Sequence, residues 1–237
     1  MGFSNDSLRV VIRVSSAKDS EAQIASVRCF VDRVGWQYGA QSVLEGPADG
    51  ANTQRGGHSR LLFARGVAVT VAVLRVGDEA VVRAGYARAA LETPEIRLIP
   101  EPLGLGGLPQ ADMVVSFDAP RCVPQWQDYV AAVARAARKV LVMVLPNPDR
   151  LLSATAGRGG QTSDIARVLW SVGRVREHAY LGVPSWVLAL QGAPAQSVVQ
   201  SPVGVAVRLA APLHAFVVDT SPRTPQARRR LGLAVSA

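Results

Sequence analysis

The sequence predicts a doubly wound α/β fold, with a mostly parallel sheet between two layers of helices. Three observations carry that prediction. Runs such as Val-Ala-Val-Thr-Val-Ala-Val-Leu at 67–74 and Lys-Val-Leu-Val-Met-Val-Leu at 139–145 have the continuous apolar character of strands covered on both faces. Segments with apolar residues at three- and four-residue spacing separate such runs, and the alternation recurs five times. A chain of 237 residues suits one large α/β domain with a sizeable core.

Residues 1–19 read as an N-terminal tail or edge strand, with loose alternation over 8–14. A helix follows over 20–38, where Ile24, Val27, Phe30, Val31 and Val34 share a face. Ser20 is placed to cap it and Gly35 to stop it. Trp36 and Tyr38 are expected to pack where this helix meets the sheet. A short buried strand over 41–45 runs into a loop of small and polar residues over 46–57. A short helix over 58–65 ends at Gly66.

After the strand at 67–74 comes a helix over 77–91, with Ala80, Val81, Ala84, Ala87 and Leu91 on one stripe. A third strand spans 95–99, and proline and glycine punctuate a loop over 100–110. The fourth strand, 112–117, leads to an amphipathic helix over 124–138 with Trp126, Tyr129, Val130, Val133 and Ala137 inward. The fifth strand, 139–145, is stopped by Pro146-Asn147-Pro148. A loop over 157–160 precedes a helix capped by Thr162 or Ser163 and running to Ser171. Strands at 174–183 and 214–219 lack a full helix between them, which predicts an antiparallel hairpin at one edge. An insertion over 184–212 separates them, inside a domain spanning 20–221. A basic tail over 222–237 carries Arg228, Arg229 and Arg230.

Composition narrows the classes of function. The net charge of +8 comes from 26 Lys plus Arg against 18 Asp plus Glu. That balance fits either a polyanion partner or an arginine-coated solvated surface. The arginines are dispersed and aromatics are only 5%, too few for base-stacking platforms, so the solvated surface is favoured. No apolar run is long enough to span a bilayer, and no transmembrane segment is expected. The first residues lack a basic region followed by an apolar core, and Asp6 stands where a myristoylation motif needs Ser or Thr. Cys29 and Cys122 are far apart and outside any Cys-x-x-Cys pattern, which suits a reducing cytoplasmic setting. The three histidines are scattered, so no structural metal site is expected.

Several motifs, taken in order, resemble those of the class I S-adenosylmethionine-dependent methyltransferases. Val43-Leu44-Glu45 followed by small residues resembles the family's first motif, and Asp112-Met113-Val114-Val115-Ser116-Phe117 its fourth-strand motif. The stretch from Ala134 to Val142 resembles the segment leading into the fifth strand, and Gly173 to His178 the start of the sixth. The resemblance covers about 30–219. It implies a three-layer, doubly wound, Rossmann-like sheet of seven strands, mostly parallel with an antiparallel last strand. It also implies S-adenosylmethionine at the carboxyl ends of the central strands, with methyl transfer driven largely by orientation. The residues it assigns to the cofactor are Glu45, Gly46, Ala48, Asp49 and Gly50, then Glu101, then Phe117 and Asp118. It assigns no catalytic residue, no metal and no particular acceptor.

Three departures from the family pattern open a second reading. Pro47, Asp49 and Ala51 stand at the three glycine positions of the first motif, while Gly46 and Gly50 fall between them. No acid follows the second strand until Asp78, although a carboxylate near Val73 would hold the ribose. After the third strand only Glu101 is acidic, and prolines flank it. The second reading is therefore a catalytically inactive methyltransferase fold serving as a binding or scaffolding subunit, with 184–212 and the basic tail as contact surfaces for a protein partner. Nucleic-acid binding through the arginines is a third.

The candidate residues also have plain structural readings. Glu45 can cap loop amides, Asp118 can be a turn residue, and His58 near a helix start is more often at the surface. Trp126 and Tyr129 read as core, and His214 as structural. No nucleophile elbow, intact P-loop or Asn-Pro-Pro-Tyr-like tetrapeptide occurs, so the acceptor class stays open.

Overall fold

A computed structural model describes residues 17–48, 57–99, 108–118, 125–147, 159–182 and 211–221. The element order is α1 (Ala17–Gln37), β1 (Ser42–Ala48), α2 (Arg60–Ala64), β2 (Ala68–Val73), α3 (Val76–Ala87) and β3 (Glu95–Leu98). Then follow β4 (Ala111–Phe117), α4 (Trp126–Ala136), β5 (Ala137–Pro146), α5 (Gly159–Val172), β6 (Arg174–Leu181) and β7 (Leu213–Asp219). The expected strand over 8–14 and the tail 222–237 lie outside the described residues, as does all but the end of the insertion 184–212.

The seven strands form one sheet in the order β3-β2-β1-β4-β5-β7-β6. Strands β3 to β5 are parallel, and β7 runs antiparallel to both β5 and β6. The order reverses direction between β1 and β4, so the topological switch point lies there. Residues alternate across the sheet into two cores. Val43, Val71, Met113, Val115 and Val142 join α1, α2 and α3 through Val31, Val34, Leu62 and Tyr86. Leu44, Ala72, Val114, Leu141 and Phe216 join α4 and α5 through Tyr129, Val133, Ile165 and Leu169. Every residue of β4 from Ala111 to Ser116 is buried, as a central strand between two helix layers requires.

The helix ends differ from expectation in instructive ways. Helix α1 begins at Ala17, before Ser20, and continues past Gly35 to Gln37. A Cβ on Gly35 would lie 2.7 Å from Leu62 Cδ1, so that glycine serves the close approach of α1 to α2. The actual stop is Gly39, at φ +56°, where Gly39 N–H bonds Trp36 O and Ala40 N–H bonds Gly35 O. This left-handed closure captures two carbonyls that the helix leaves open. Trp36, expected to pack, is 79% exposed, while Tyr38 does pack against the core.

Helix α3 buries Asp78, Val82, Gly85 and Tyr86, not the alanine stripe read from periodicity. The tyrosine ring and the valine remove far more apolar area from water than alanines do, and they set the rotation of the helix. Helix α5 starts at Gly159, so Thr162 and Ser163 stand inside it. Helix α4 runs into β5 without a loop, and Ala137 belongs to the strand.

At the amino edge, Asp112 ties β1 to β4. Its Oδ2 accepts from Gln41 N at 3.0 Å and Lys139 Nζ at 3.1 Å, and Asp112 N donates to Ser42 Oγ. The Gln41 amide holds the Asp112 carboxyl below the usual carboxylate range; Lys139 adds to this and burial opposes it.

Two outcomes are expected. Asp112→Ala should cost about 1.5–3 kcal/mol of unfolding free energy at neutral pH. Because the folded-state value is depressed, this stabilisation is complete above about pH 4 and drains away as pH falls through the lowered value, so wild type and variant should converge in acid urea titrations. Ala90 closes α3 at φ 54° with Leu91 N–H on Tyr86 O, a conformation costly for any residue with a Cβ. Ala90→Gly should therefore stabilise the fold by about 1 kcal/mol in chemical denaturation.

Candidate functional site

The carboxyl ends of β1 and β4 meet at the switch point, and Glu45 organises them. Its side chain is buried, and its two oxygens accept the backbone amides of His58 and Ser59 at 2.8 Å each. One carboxylate thus receives two hydrogen bonds across thirteen and fourteen residues of chain. This is the amide-capping geometry anticipated as the plain reading of Glu45. Each oxygen retains a further acceptor site.

The same contact draws His58 inward. Its residue is 3% exposed, against the expectation of a surface histidine, and its ring stacks on Phe117 at 4.4 Å and 16°. Phe117 is the last residue of β4 and belongs to the core under α1, α2 and α3. Asp118 follows it at φ +51°, with its N–H bonded to Val144 O at 2.8 Å. A non-glycine residue held there is strained, and the neighbouring strand is what holds it.

The opposite face of the sheet has its own tie across the switch point. Tyr129, from the first turn of α4, donates its hydroxyl to Gly46 O at 3.0 Å. Tyr129 Oη also lies 2.8 Å from Ser116 Oγ, and with its own proton on Gly46 the serine is the donor of that bond. Gly46 sits at φ +124°, within the irregular pairing of β1 between Glu45 and Ala48. The strand passes through Pro47 and ends at Ala48, three residues beyond the expected end at Glu45.

Charge around Glu45 is positive. Arg28 Nε donates to Gly57 O at 3.2 Å, and the Arg60 guanidinium lies over the Tyr86 ring at 5.4 Å. Burial lowers both arginine values, partly offset by the Glu45 charge. Burial, then Glu45, pushes the Tyr86 phenol well above its ordinary value. Tyr86 Oη has no hydrogen-bond partner among the described residues. Asp78, on the first turn of α3 after β2, is 6% exposed, and its Oδ2 is buried without a partner among the described residues.

Of the residues expected to hold a cofactor, Glu45, Gly46, Phe117 and Asp118 come together at the β1 and β4 ends. Ala48 ends β1 beside Val73. Asp49, Gly50 and Glu101 lie outside the described residues. Sequence reasoning missed Ser116, took Tyr129 for plain core and left Asp78 unassigned. A tyrosine rather than phenylalanine on the inward stripe of α4 was the available signal, because a buried hydroxyl needs a partner. Nothing local marks His58 and Ser59 as partners of Glu45.

No family model and no curated protein matches the chain. Solved structures do. An S-adenosylmethionine-dependent methyltransferase from Clostridium acetobutylicum aligns at TM-score 0.55 and 6% identity, covering 87% of this chain and 95% of that one. The magnesium protoporphyrin IX methyltransferase of Synechocystis, solved with bound S-adenosylhomocysteine, aligns at TM-score 0.53 and 12% identity, covering 85% and 84%. The chain therefore has the class I S-adenosylmethionine-dependent methyltransferase fold. No helix among the described residues is long and apolar enough to cross a membrane.

Glu45→Ala should leave two buried amides without acceptors and cost about 2–4 kcal/mol. Glu45→Gln, which keeps one acceptor oxygen, should cost roughly half as much. Urea melts of both variants check this; a cost below about 0.5 kcal/mol for the alanine variant would show that the carboxylate does not hold the 57–59 segment.

Proposed function

We propose that the chain is an S-adenosylmethionine-dependent methyltransferase whose cofactor lies across the ends of β1, β2 and β4. The observation that carries this reading is the pairing of two features at the switch point. A buried carboxylate, Glu45, ends the regular part of β1 opposite Val115, and Asp118, at positive φ, follows the end of β4 three residues further on. Strain of this kind, of order 1–3 kcal/mol, persists where surrounding structure enforces it and clusters at working sites.

The donor set fits the group by charge. Glu45 is the acceptor for the ammonium of the amino-acid part. The buried Asp78 oxygen after β2 supports a second role, as the acceptor for ribose hydroxyls in place of an acid near Val73. Asp118 and Phe117 border the reacting end, and Asp49 and Gly50 are the residues that the family resemblance assigns to the amino-acid part. When bound, the cofactor supplies an electrophilic methyl group. The chain's contribution is to orient it and exclude water, which can account for much of a displacement rate. The acceptor is not assigned.

One observation favours the second reading, a methyltransferase fold without catalysis that acts as a binding or scaffolding subunit. The His58–Phe117 stack occupies one face of the switch point, and Pro47 stands where a family member has glycine. The ring stack, and a proline in place of a glycine, leave less space for a ligand to approach the backbone.

Titration calorimetry with S-adenosylmethionine and S-adenosylhomocysteine separates the two. The catalytic reading expects saturable binding by the full chain at micromolar to millimolar ligand, and no heat at millimolar ligand selects the scaffold reading. Asp78→Asn is expected to weaken S-adenosylhomocysteine binding at least tenfold while leaving thermal stability equal or higher, because the buried Oδ2 has no partner among the described residues whose loss would destabilise the fold. Equal affinity in the variant would remove Asp78 from the site.

A further inference from the structure

We propose that His178 and His214 form a binding site for a tetrahedral, zinc-class divalent cation on the β6–β7 hairpin. The two histidines are 36 residues apart in sequence, yet Nδ1 of His178 and Nε2 of His214 lie 3.3 Å apart. The hairpin register brings them together. His178 faces Phe216 and Tyr180 faces His214, so the histidines are diagonal neighbours on one side of an antiparallel ladder.

The spacing is compatible with metal chelation. Two zinc–nitrogen bonds of about 2.0–2.1 Å at a tetrahedral angle put their nitrogens about 3.3–3.4 Å apart. A square-planar cation with bonds of that length would need about 2.8–3.0 Å. The same two nitrogens share a hydrogen bond, which a cation would replace. The observed separation matches the tetrahedral bite.

The rings are also held before any ligand arrives. His214 stacks on Tyr180 at 4.6 Å and 17° and packs against Phe216 at 4.3 Å. His178 meets the Tyr180 ring edge-on at 6.4 Å. Side chains fixed this way lose little freedom on binding a metal. Imidazole nitrogens are borderline-soft donors that suit zinc. No group of three or more His, Cys, Asp or Glu side chains arranged to hold a metal occurs among the described residues. With two protein ligands, the other two positions of a tetrahedral ion fall to water or an external ligand. His214 pairs with Leu145, one residue from the end of β5, so the site lies at the same sheet edge as Glu45 and Asp118. This proposal stands independently of cofactor binding.

The test uses the full chain, stripped with chelator and titrated with zinc chloride by calorimetry. One equivalent of zinc should bind the wild type, and His178→Ala and His214→Ala should each weaken it at least tenfold. His178 is exposed, so its variant should fold, as circular dichroism will report, and His214→Gln gives a second probe that keeps side-chain volume. No uptake by the wild type at millimolar zinc overturns the proposal. So does uptake that all the variants retain undiminished, since that would assign the zinc to other groups such as the exposed Cys29.

Discussion

One buried carboxylate holds the working edge of this molecule together. Glu45 stands at the centre of the sheet's carboxyl edge and accepts the amides of His58 and Ser59. A carboxylate removed from water must be compensated, and two charge-assisted bonds to backbone amides do this. The consequence is structural before it is functional. The chain at His58 and Ser59 is anchored to β1 at a defined point, α2 starts there, and His58 is delivered onto Phe117. The half-buried Arg28 and Arg60 give the same carboxylate a positive surrounding.

Tyr129 performs the matching task on the other face. Its hydroxyl joins the Gly46 carbonyl of β1 to Ser116 of β4, so the switch point is bound from both sides of the sheet. Between these ties the backbone is irregular, with Gly46 at positive φ, a register shift before Ala48 and Asp118 strained beyond β4. Further register shifts lie between Ala111 and Met113 and between Val175 and Glu177, so the irregularity at the switch point is one of several in the sheet. The first-motif glycines are missing from their usual positions, but the backbone freedom at Gly46 is still used.

Much of this was legible in the residues. Apolar runs located the central strands, and the three- and four-residue periodicity located the longer helices, because burial on one or two faces is written directly into a local pattern; the mixed segments of β3 and β6 were placed by their position between helices and turns. Glu45 and Asp118 were marked by standing at strand ends. Errors arose where two local signals competed. The alanine stripe of α3 lost to Val82 and Tyr86, because side-chain size rather than count sets which face is buried. Gly35 was read as a stop although its missing side chain makes room for Leu62, while the stop is Gly39.

By itself the sequence determined the fold class, the order and approximate limits of its elements, and the strand ends where a ligand site would lie. These follow from hydrophobic period and turn chemistry, which act over a few residues. Only the tertiary structure decided what meets at those ends. It set His58 on Phe117, Tyr129 on Gly46, and His178 beside His214, pairs separated by 59, 83 and 36 positions. Such contacts depend on strand order and register, and a register shift of one residue would send the side chains to the opposite face. No local pattern encodes that; the packing of the whole sheet does.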